Sequence, residues 1–190
     1  MYSIFDMKTN KGFRGFLENI KNFPKSCKWA MQRMKWGFSD YDIMDMDAYL
    51  EELIPDMISR FIDKQTPGQY PVKESLIEKA GISIKEYEDL QSDMSEEGET
   101  KRKEMAEKFG QIWEETLARI IFCFREQDER RCTKQNEYIN DYYALIHSGN
   151  KDEEIDRKYW DRERELEEYR EKMLKEGFDL LYTYFHCLWW

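Results

Sequence analysis

The chain has 190 residues, of which 37% are charged and 15% aromatic, which indicates one folded domain with a hydrated, helical surface. No apolar run approaches the roughly 18 residues that span a bilayer, and the N-terminus lacks the apolar core of a signal peptide. The four cysteines are widely spaced without a C-x-x-C pair, which argues against a zinc or disulfide framework and predicts reduced thiols in a cytosol.

The net charge of −10 is unevenly distributed along the chain. Residues 8–35 include eight basic residues and one acid, Glu18, so this segment carries +7 and the remainder carries −17. We therefore predict a basic, aromatic N-terminal arm (residues 1–36) packed on an acidic helical domain (residues 37–190). Such an arm either contacts a partner of its own, nucleic acid included, or folds back on the chain's acidic residues.

Helical spacing and helix-breaking residues define the first elements. Pro24 is expected to divide the arm and leave a short helix over residues 27–35 that stops near Gly37. Residues 40–62 are predicted to form one helix that bends at Pro55 without ending. The apolar positions of that helix follow one another at intervals of three and four residues: Ile43, Met46, Leu50, Leu53, Met57 and Phe61.

The remaining segments are also predicted to be helical. Short helices are expected over residues 72–80 and 83–92, the second with a capping box of Ser83 and Glu86, and a mobile loop is expected over residues 94–99. The clearest apolar stripe, which includes Trp113, predicts a helix over residues 101–126.

Two further helices complete the predicted fold. One covers residues 135–146, and a long C-terminal helix covers residues 152–190, solvated in its first half and buried, with Phe185, in its second. No segment alternates with period two over enough length to predict a strand. The predicted fold class is all-α: a single irregular multi-helix domain with the N-terminal arm and a long C-terminal helix.

The segment WGFSDYDIMDMDAYLEELIPDMISRF, residues 36–61, places four aspartates within eight residues. Ser39 and Asp42 have the spacing of a capping box, and acids in the first turn suit the helix dipole, so the segment is predicted first of all to start a helix. On one continuous helix at about 100° per residue, four acids share an arc beside the apolar face: Asp42, Asp45, Glu52 and Asp56. An acidic contact surface and a metal site are the alternatives, although a cation on Asp42 and Asp45 would need oxygen ligands from another helix.

The same segment carries a resemblance. Together with the arm GFRGFLENIKNFP, a G-Q-Y-P turn and the C-terminal F-x-x-L-W-W, it resembles a family of small proteins encoded by tailed bacteriophages, whose pattern includes W-G-[FY]-x-D-x-D-x-W-N-[IL]-D. Met44 and Asp45 stand where the family has W-N, and Gln69 is inserted in its G-Y-P turn. The resemblance implies a phage protein in the host cytoplasm and implies no reaction. The matching residues are Gly15, Phe16, Asn19, Trp36, Gly37, Asp40, Asp42, Asp47, Pro55, Tyr70, Pro71, Phe178, Phe185, Leu188 and Trp189.

Other motifs add little chemistry. No P-loop, dinucleotide-binding, zinc-protease or nucleophile-elbow motif occurs, so we expect no catalytic residue, cofactor or metal. The acidic tract over residues 163–168 is predicted to be a solvated face. Trp189 and Trp190 either lock the last helix into the core or form an exposed aromatic anchor for a partner.

These observations predict an interaction protein, and not an enzyme, that binds and inhibits or redirects a host protein. Antiviral nucleases such as CRISPR effectors are candidate targets, because acidic side chains can compete with phosphate for a basic nucleic-acid-binding surface. No membrane partner is expected. The predicted partner-binding residues are Asp42, Asp45, Glu52, Asp56, Trp189 and Trp190. The alternative is a nucleotide hydrolase that holds a divalent metal through Asp42, Asp45 and a third acid.

Overall fold

The computed structural model describes residues 13–65 and 70–188, with side chains from Phe23 onward. Over these residues the chain is predominantly helical and has no strand, which confirms the all-α prediction. The elements are α1 (Phe13–Trp36), α2 (Asp40–Met44), α3 (Met46–Lys64), α4 (Glu74–Lys79), α5 (Ile84–Ser92), α6 (Glu96–Gln127), α7 (Ile139–Ser148), α8 (Glu153–Tyr184) and a 3-10 turn (Phe185–Cys187).

The chain divides into two compact units between Leu53 and Ile54. The first unit includes α1, α2 and the start of α3, and the second includes the rest of α3 and everything after it. Residues 37–53 therefore group with the predicted basic arm. By sequence the first unit has eight basic and eight acidic residues, whereas the second has 22 basic and 32 acidic residues, so the whole net charge of −10 belongs to the second unit.

Helix α1 is continuous through Pro24, so the predicted division of the arm is wrong. Proline removes one backbone donor, and the turns on both sides retain the remaining hydrogen bonds of the helix. The helix ends near Gly37 as predicted: Gly37 has a φ of 83°, and its N–H donates to the Arg33 carbonyl at 2.9 Å. Glycine adopts this left-handed conformation without a Cβ clash.

The predicted single helix over residues 40–62 is wrong, because the chain leaves the helical conformation at Asp45, with φ −135° and ψ 58°. Helix α3 then starts anew and continues through Pro55 to Lys64, as predicted. The interruption changes which face is buried. Met57, a member of the predicted apolar set, is 60% exposed, and the core is contacted by Ile54 and Ile58 together with the predicted Phe61.

The core of the second unit forms where α6 and α8 pack along each other. Trp113 on α6 is fully buried and meets Tyr184 of α8 edge-on, with ring centroids 5.6 Å apart. Ile58 from α3 and Leu76 from α4 complete this cluster. Helices α3, α4, α6 and α8 therefore all contribute side chains to the core of the second unit.

Close approach of α6 and α8 depends on a glycine. A Cβ at Gly177 would lie 3.1 Å from the Cβ of Cys123 and 3.2 Å from the Phe124 ring, closer than ordinary van der Waals contact between carbon atoms. The absence of a side chain at this position therefore lets the two longest helices approach.

Helices α4 and α5 pack on the N-terminal half of α6 around Ile77, Ala80 and Phe109. The predicted capping box of α5 is confirmed: Glu86 Oε2 accepts from the Ser83 N–H at 2.7 Å, and Ser83 Oγ accepts from the Glu86 N–H at 3.2 Å. The predicted loop over residues 94–99 is wrong. Helix α6 already begins at Glu96, because Ser95 caps it by accepting from the Gly98 N–H at 3.0 Å.

Helix α8 differs from its prediction at both ends. Its first half is not simply solvated, because Tyr159 and Leu166 are buried. Phe185 is 61% exposed and not in the core, because α8 ends at Tyr184 and the Tyr184 side chain, 1% exposed, takes the core position. Trp189 and Trp190 lie outside the described residues.

Candidate functional site

Asp42 joins α1 to the start of α2. Its carboxylate is buried and accepts hydrogen bonds from Arg33 Nε at 2.8 Å, from Arg33 Nη2, and from the Ser39 N–H and Oγ at 2.7 Å each. In return the Asp42 N–H donates to Ser39 Oγ at 3.4 Å. The predicted capping box is therefore confirmed. Asp42 also forms a bidentate ion pair with Arg33, which the sequence did not predict.

The electrostatics of this pair keep both groups charged. Burial alone would raise the pKa of Asp42, but the hydrogen bonds from Arg33 and Ser39 outweigh it and hold the pKa of this carboxyl below its usual value. The hydrogen bond to Asp42 raises the pKa of Arg33 in turn. Both oxygens of Asp42 are thus engaged by the chain's own donors, which makes the residue part of the fold of the first unit.

A second ion pair follows the same pattern. Lys28 Nζ lies 2.7 Å from Asp40 Oδ2, and the Asp40 N–H donates to Gln32 Oε1 at 3.0 Å. In the described part of α1, Lys28 and Arg33 thus both pair with acids of their own unit. Asp40 and Asp42, at the start of α2, therefore serve as ion-pair partners for basic residues of α1.

The other predicted acids do not lie on one helix with Asp42. Asp45 is exposed at the end of α2, Glu52 is half-buried on α3 in the first unit, and Asp56 is half-buried on α3 in the second unit. Because α2 and α3 are separate helices, the single arc expected for these residues and Asp42 does not form. Among residues 13–65 and 70–188, no group of three His, Cys, Asp or Glu side chains is placed to hold a metal ion.

The most unusual feature of the first unit is apolar. Seven large side chains between residues 31 and 46 are 45–85% exposed. Single exposed apolar residues are ordinary, whereas larger contiguous apolar patches mark binding sites. These seven side chains are close together in sequence, within sixteen residues of one another. We name this set the methionine-rich surface: Met31, Met34, Trp36, Phe38, Ile43, Met44 and Met46.

The sequence prediction missed this surface because it treated residues 40–62 as one helix and placed Ile43 and Met46 in the core. The interruption at Asp45 exposes both, at 58% and 59%. A signal was present in the composition, since four of the ten methionines fall within residues 31–46.

The side chains of the methionine-rich surface suit an adaptable contact. Methionine is unbranched and polarizable, and therefore conforms to partners of different shape. Trp36 offers a large aromatic face, with Lys35 Nζ 5.0 Å from its ring centroid. The exposed carboxylates of Asp45 and Asp47 lie next to these apolar residues in sequence.

A second buried carboxylate belongs to the second unit. Glu126, 1% exposed, accepts from the Thr133 N–H at 3.0 Å, from Thr133 Oγ1 at 2.7 Å, from the Tyr169 hydroxyl at 2.9 Å and from Cys132 Sγ at 3.5 Å. Burial would raise the pKa of Glu126, but these donors together hold it below its usual value. Burial and the hydrogen bond to Glu126 raise the pKa of Tyr169 to about 12.

Glu126 therefore ties the segment after α6 to α8. Lys134 Nζ lies 3.7 Å from the centroid of the Tyr169 ring and adds a cation–π contact to the same cluster. The four hydrogen bonds described for this carboxylate all come from its own chain, which gives it a structural role. Burial also raises the pKa of Cys123 and Cys132, which keeps both thiols protonated at neutral pH.

No protein-family model, curated protein or solved structure matches the chain. None of the helices in the described ranges has the length and apolar character needed to cross a membrane. The candidate site is the methionine-rich surface, which is identified from the exposure of its side chains.

Proposed function

We propose that the chain is a protein-binding protein and that the methionine-rich surface is its contact site. The observation that carries this proposal is the exposure of seven large apolar side chains within residues 31–46. Leaving such side chains in water costs roughly 1.5–3 kcal/mol for each one that could be buried. A partner that covers several of them recovers part of this free energy.

Charge indicates the chemistry of the partner. Asp45 and Asp47 are exposed among the apolar residues, and the second unit carries a net charge of −10. Both features favour a partner with apolar side chains bordered by Lys and Arg, and a basic surface that otherwise binds the phosphate backbone of nucleic acid meets this description.

The resemblance to phage proteins gives this proposal a setting. The partner is then a host protein that handles nucleic acid, an antiviral nuclease among the candidates, and the host cytoplasm is the compartment. Binding inhibits or redirects the partner by competing with nucleic acid for the same basic side chains.

A capture experiment with matched variants tests the proposal. The full chain is used to capture proteins from a bacterial lysate, and the captured proteins are quantified by mass spectrometry. The site variant is Met34→Ser/Met44→Ser, at positions 81% and 85% exposed. The control is Met57→Ser/Met94→Ser, at positions 60% and 86% exposed in the second unit.

We expect the control to capture the same basic protein as the unchanged chain and the site variant to lose it. Surface substitutions of this kind alter stability by about 0.5 kcal/mol or less, so both variants stay folded. Equal capture by the site variant, or equal loss in the control, contradicts the methionine-rich surface as the contact site.

The acids are tested separately from the apolar residues. Replacing exposed Asp45 and half-buried Glu52 and Asp56 together by Asn and Gln should slow association with the captured protein. Exposed charge pairs each contribute roughly 0.2–1 kcal/mol, so we expect most of the effect from Asp45. The effect should shrink at high salt. An unchanged association rate at low salt removes these three carboxylates from the proposed contact.

A further inference from the structure

The methionine side chains of the described residues differ widely in exposure. Met173 is 5% exposed, and Met105 is half-buried against the core cluster that includes Phe109. The four methionines of the methionine-rich surface are 59–85% exposed: Met31, Met34, Met44 and Met46. An oxidant dissolved in water therefore reaches the methionine-rich surface before it reaches the methionines of the core.

The buried thiols are also protected from an oxidant. Cys123 and Cys132 are buried, and burial raises the pKa of both thiols, so little of the reactive thiolate is present at neutral pH. Cys27 and Cys187 are half-buried. Mild oxidation should therefore modify side chains near the surface and leave the folded core intact.

Oxidation of a methionine changes the property on which an apolar contact depends. The sulfur donates an electron pair to one oxygen of hydrogen peroxide, the O–O bond breaks, an S–O bond forms, and the second oxygen leaves as water with both protons. The sulfur is oxidised by two electrons and the peroxide is reduced. The sulfoxide that results is polar, and burying it without a hydrogen-bond partner is unfavourable.

We propose that the four methionines of the methionine-rich surface form an oxidative modification site, at which peroxide switches off partner binding without unfolding the chain. This inference rests on the function proposed above and adds its regulation. The switch is reversible, because methionine sulfoxide reductases remove the oxygen as water while two thiols are oxidised to a disulfide.

Capture by the full chain before and after treatment with hydrogen peroxide tests the inference. The treated chain is first incubated with dithiothreitol, which reduces disulfides and sulfenic acids of cysteine but leaves methionine sulfoxide, and is then used on the bacterial lysate. Peptide mass spectrometry locates the added oxygen atoms, and circular dichroism checks that the chain stays helical. We expect capture of the basic protein to fall at least about tenfold, equivalent to about 1.4 kcal/mol.

Reduction of the treated chain is the second arm of the test. Incubation with the two methionine sulfoxide reductases, one for each sulfoxide epimer, should restore capture. This arm uses the unchanged chain alone, so it stays decisive even if a substitution weakens capture by itself.

Leucine variants show which methionines are responsible, because leucine is apolar, similar in volume and free of sulfur. The control is Met57→Leu/Met94→Leu, at positions 60% and 86% exposed in the second unit. The capture of each variant after peroxide is divided by its own capture before peroxide. We expect this ratio to be unaffected by peroxide in the site variant and to fall in the control as in the unchanged chain. The site variant is Met31→Leu/Met34→Leu/Met44→Leu/Met46→Leu.

The outcomes separate this inference from the proposed function. Equal capture before and after peroxide overturns the inference and leaves the proposed function standing. A loss that the reductases do not reverse also overturns it, as does a site variant that is as sensitive to peroxide as the control. If the untreated chain captures no basic protein, the proposed function and this inference both fail.

Discussion

At the scale of single residues, Trp113 is the largest fully buried side chain among the residues that the structure describes. Its ring is fully buried against Tyr184, and its Nε1 donates to Gln65 Oε1 at 3.1 Å. Trp113→Ala should lower the free energy of unfolding by about 3–5 kcal/mol, because it removes a buried ring and leaves a cavity. Denaturant titration measures this loss.

Phe185→Ala is the matched control for Trp113→Ala. The Phe185 ring is 61% exposed, so its truncation should change the stability of the monomer far less. A loss at Phe185 as large as the loss at Trp113 would contradict the core described above.

Asp42 makes the corresponding polar contribution in the first unit. Asp42→Asn leaves Arg33 without a charged acceptor and should destabilise the first unit by about 1.5–3 kcal/mol, the range for hydrogen bonds to charged groups. Hydrogen exchange of the amides over residues 33–42 should accelerate. Asp40→Asn, which removes an exposed pair, should accelerate it less; the reverse order would contradict the buried role of Asp42.

The same carboxylate gives a prediction for pH. Because the pKa of Asp42 is lower in the folded state, its contribution to stability is fully present above the unfolded pKa, about 3.9, and is lost as the pH falls through the folded pKa. Stability should therefore decline below about pH 4, and less steeply in Asp42→Asn. Thermal unfolding over a pH series measures both slopes, and identical slopes would contradict the assignment.

At the scale of elements, the segment between α6 and α7 depends on Glu126. Glu126→Gln keeps the size of the side chain but removes its charge, so the Thr133 N–H and the Thr133 and Tyr169 hydroxyls lose their charged acceptor and its stronger hydrogen bonds. We expect faster hydrogen exchange at the Thr133 amide and its neighbours, with the cores of α6 and α8 unchanged. Unchanged exchange over residues 128–134 would show that other contacts hold this segment.

Most helices could be predicted from the sequence where the signal depends only on residues close together in the chain. Capping boxes at Ser39 and Ser83 and the apolar period around Trp113 each depend on neighbours in the chain. The break at Asp45 could not be predicted, because helical spacing continues across it. Arg33 and Asp42, nine residues apart, meet only after α1 and α2 have formed.

The candidate site shows the same limit. The acids of the segment over residues 40–56 were visible in the sequence, but their exposure depends on the packing of α1 against α2, which buries Asp42. The methionine-rich surface could not be predicted either, because the interruption at Asp45 decides whether Ile43 and Met46 face the core or water.

At the scale of the whole molecule, the two units divide charge and contact between them. The first unit is neutral by sequence and has the methionine-rich surface, while the second carries the net charge of −10. We infer that the first unit supplies the apolar contact to a partner, and that the second unit supplies the acidic field that favours a basic one.

Methionine oxidation tests this central claim most directly. Exposed methionines are converted to sulfoxides by peroxide, and a bound partner slows the reaction where it covers them. The oxidation of the free chain and of the captured complex should be compared residue by residue. Our account predicts protection of Met31, Met34, Met44 and Met46 in the complex, with Met57 and Met94 oxidised as in the free chain. Protection confined to Met57 or Met94, or none at the methionine-rich surface, would contradict it.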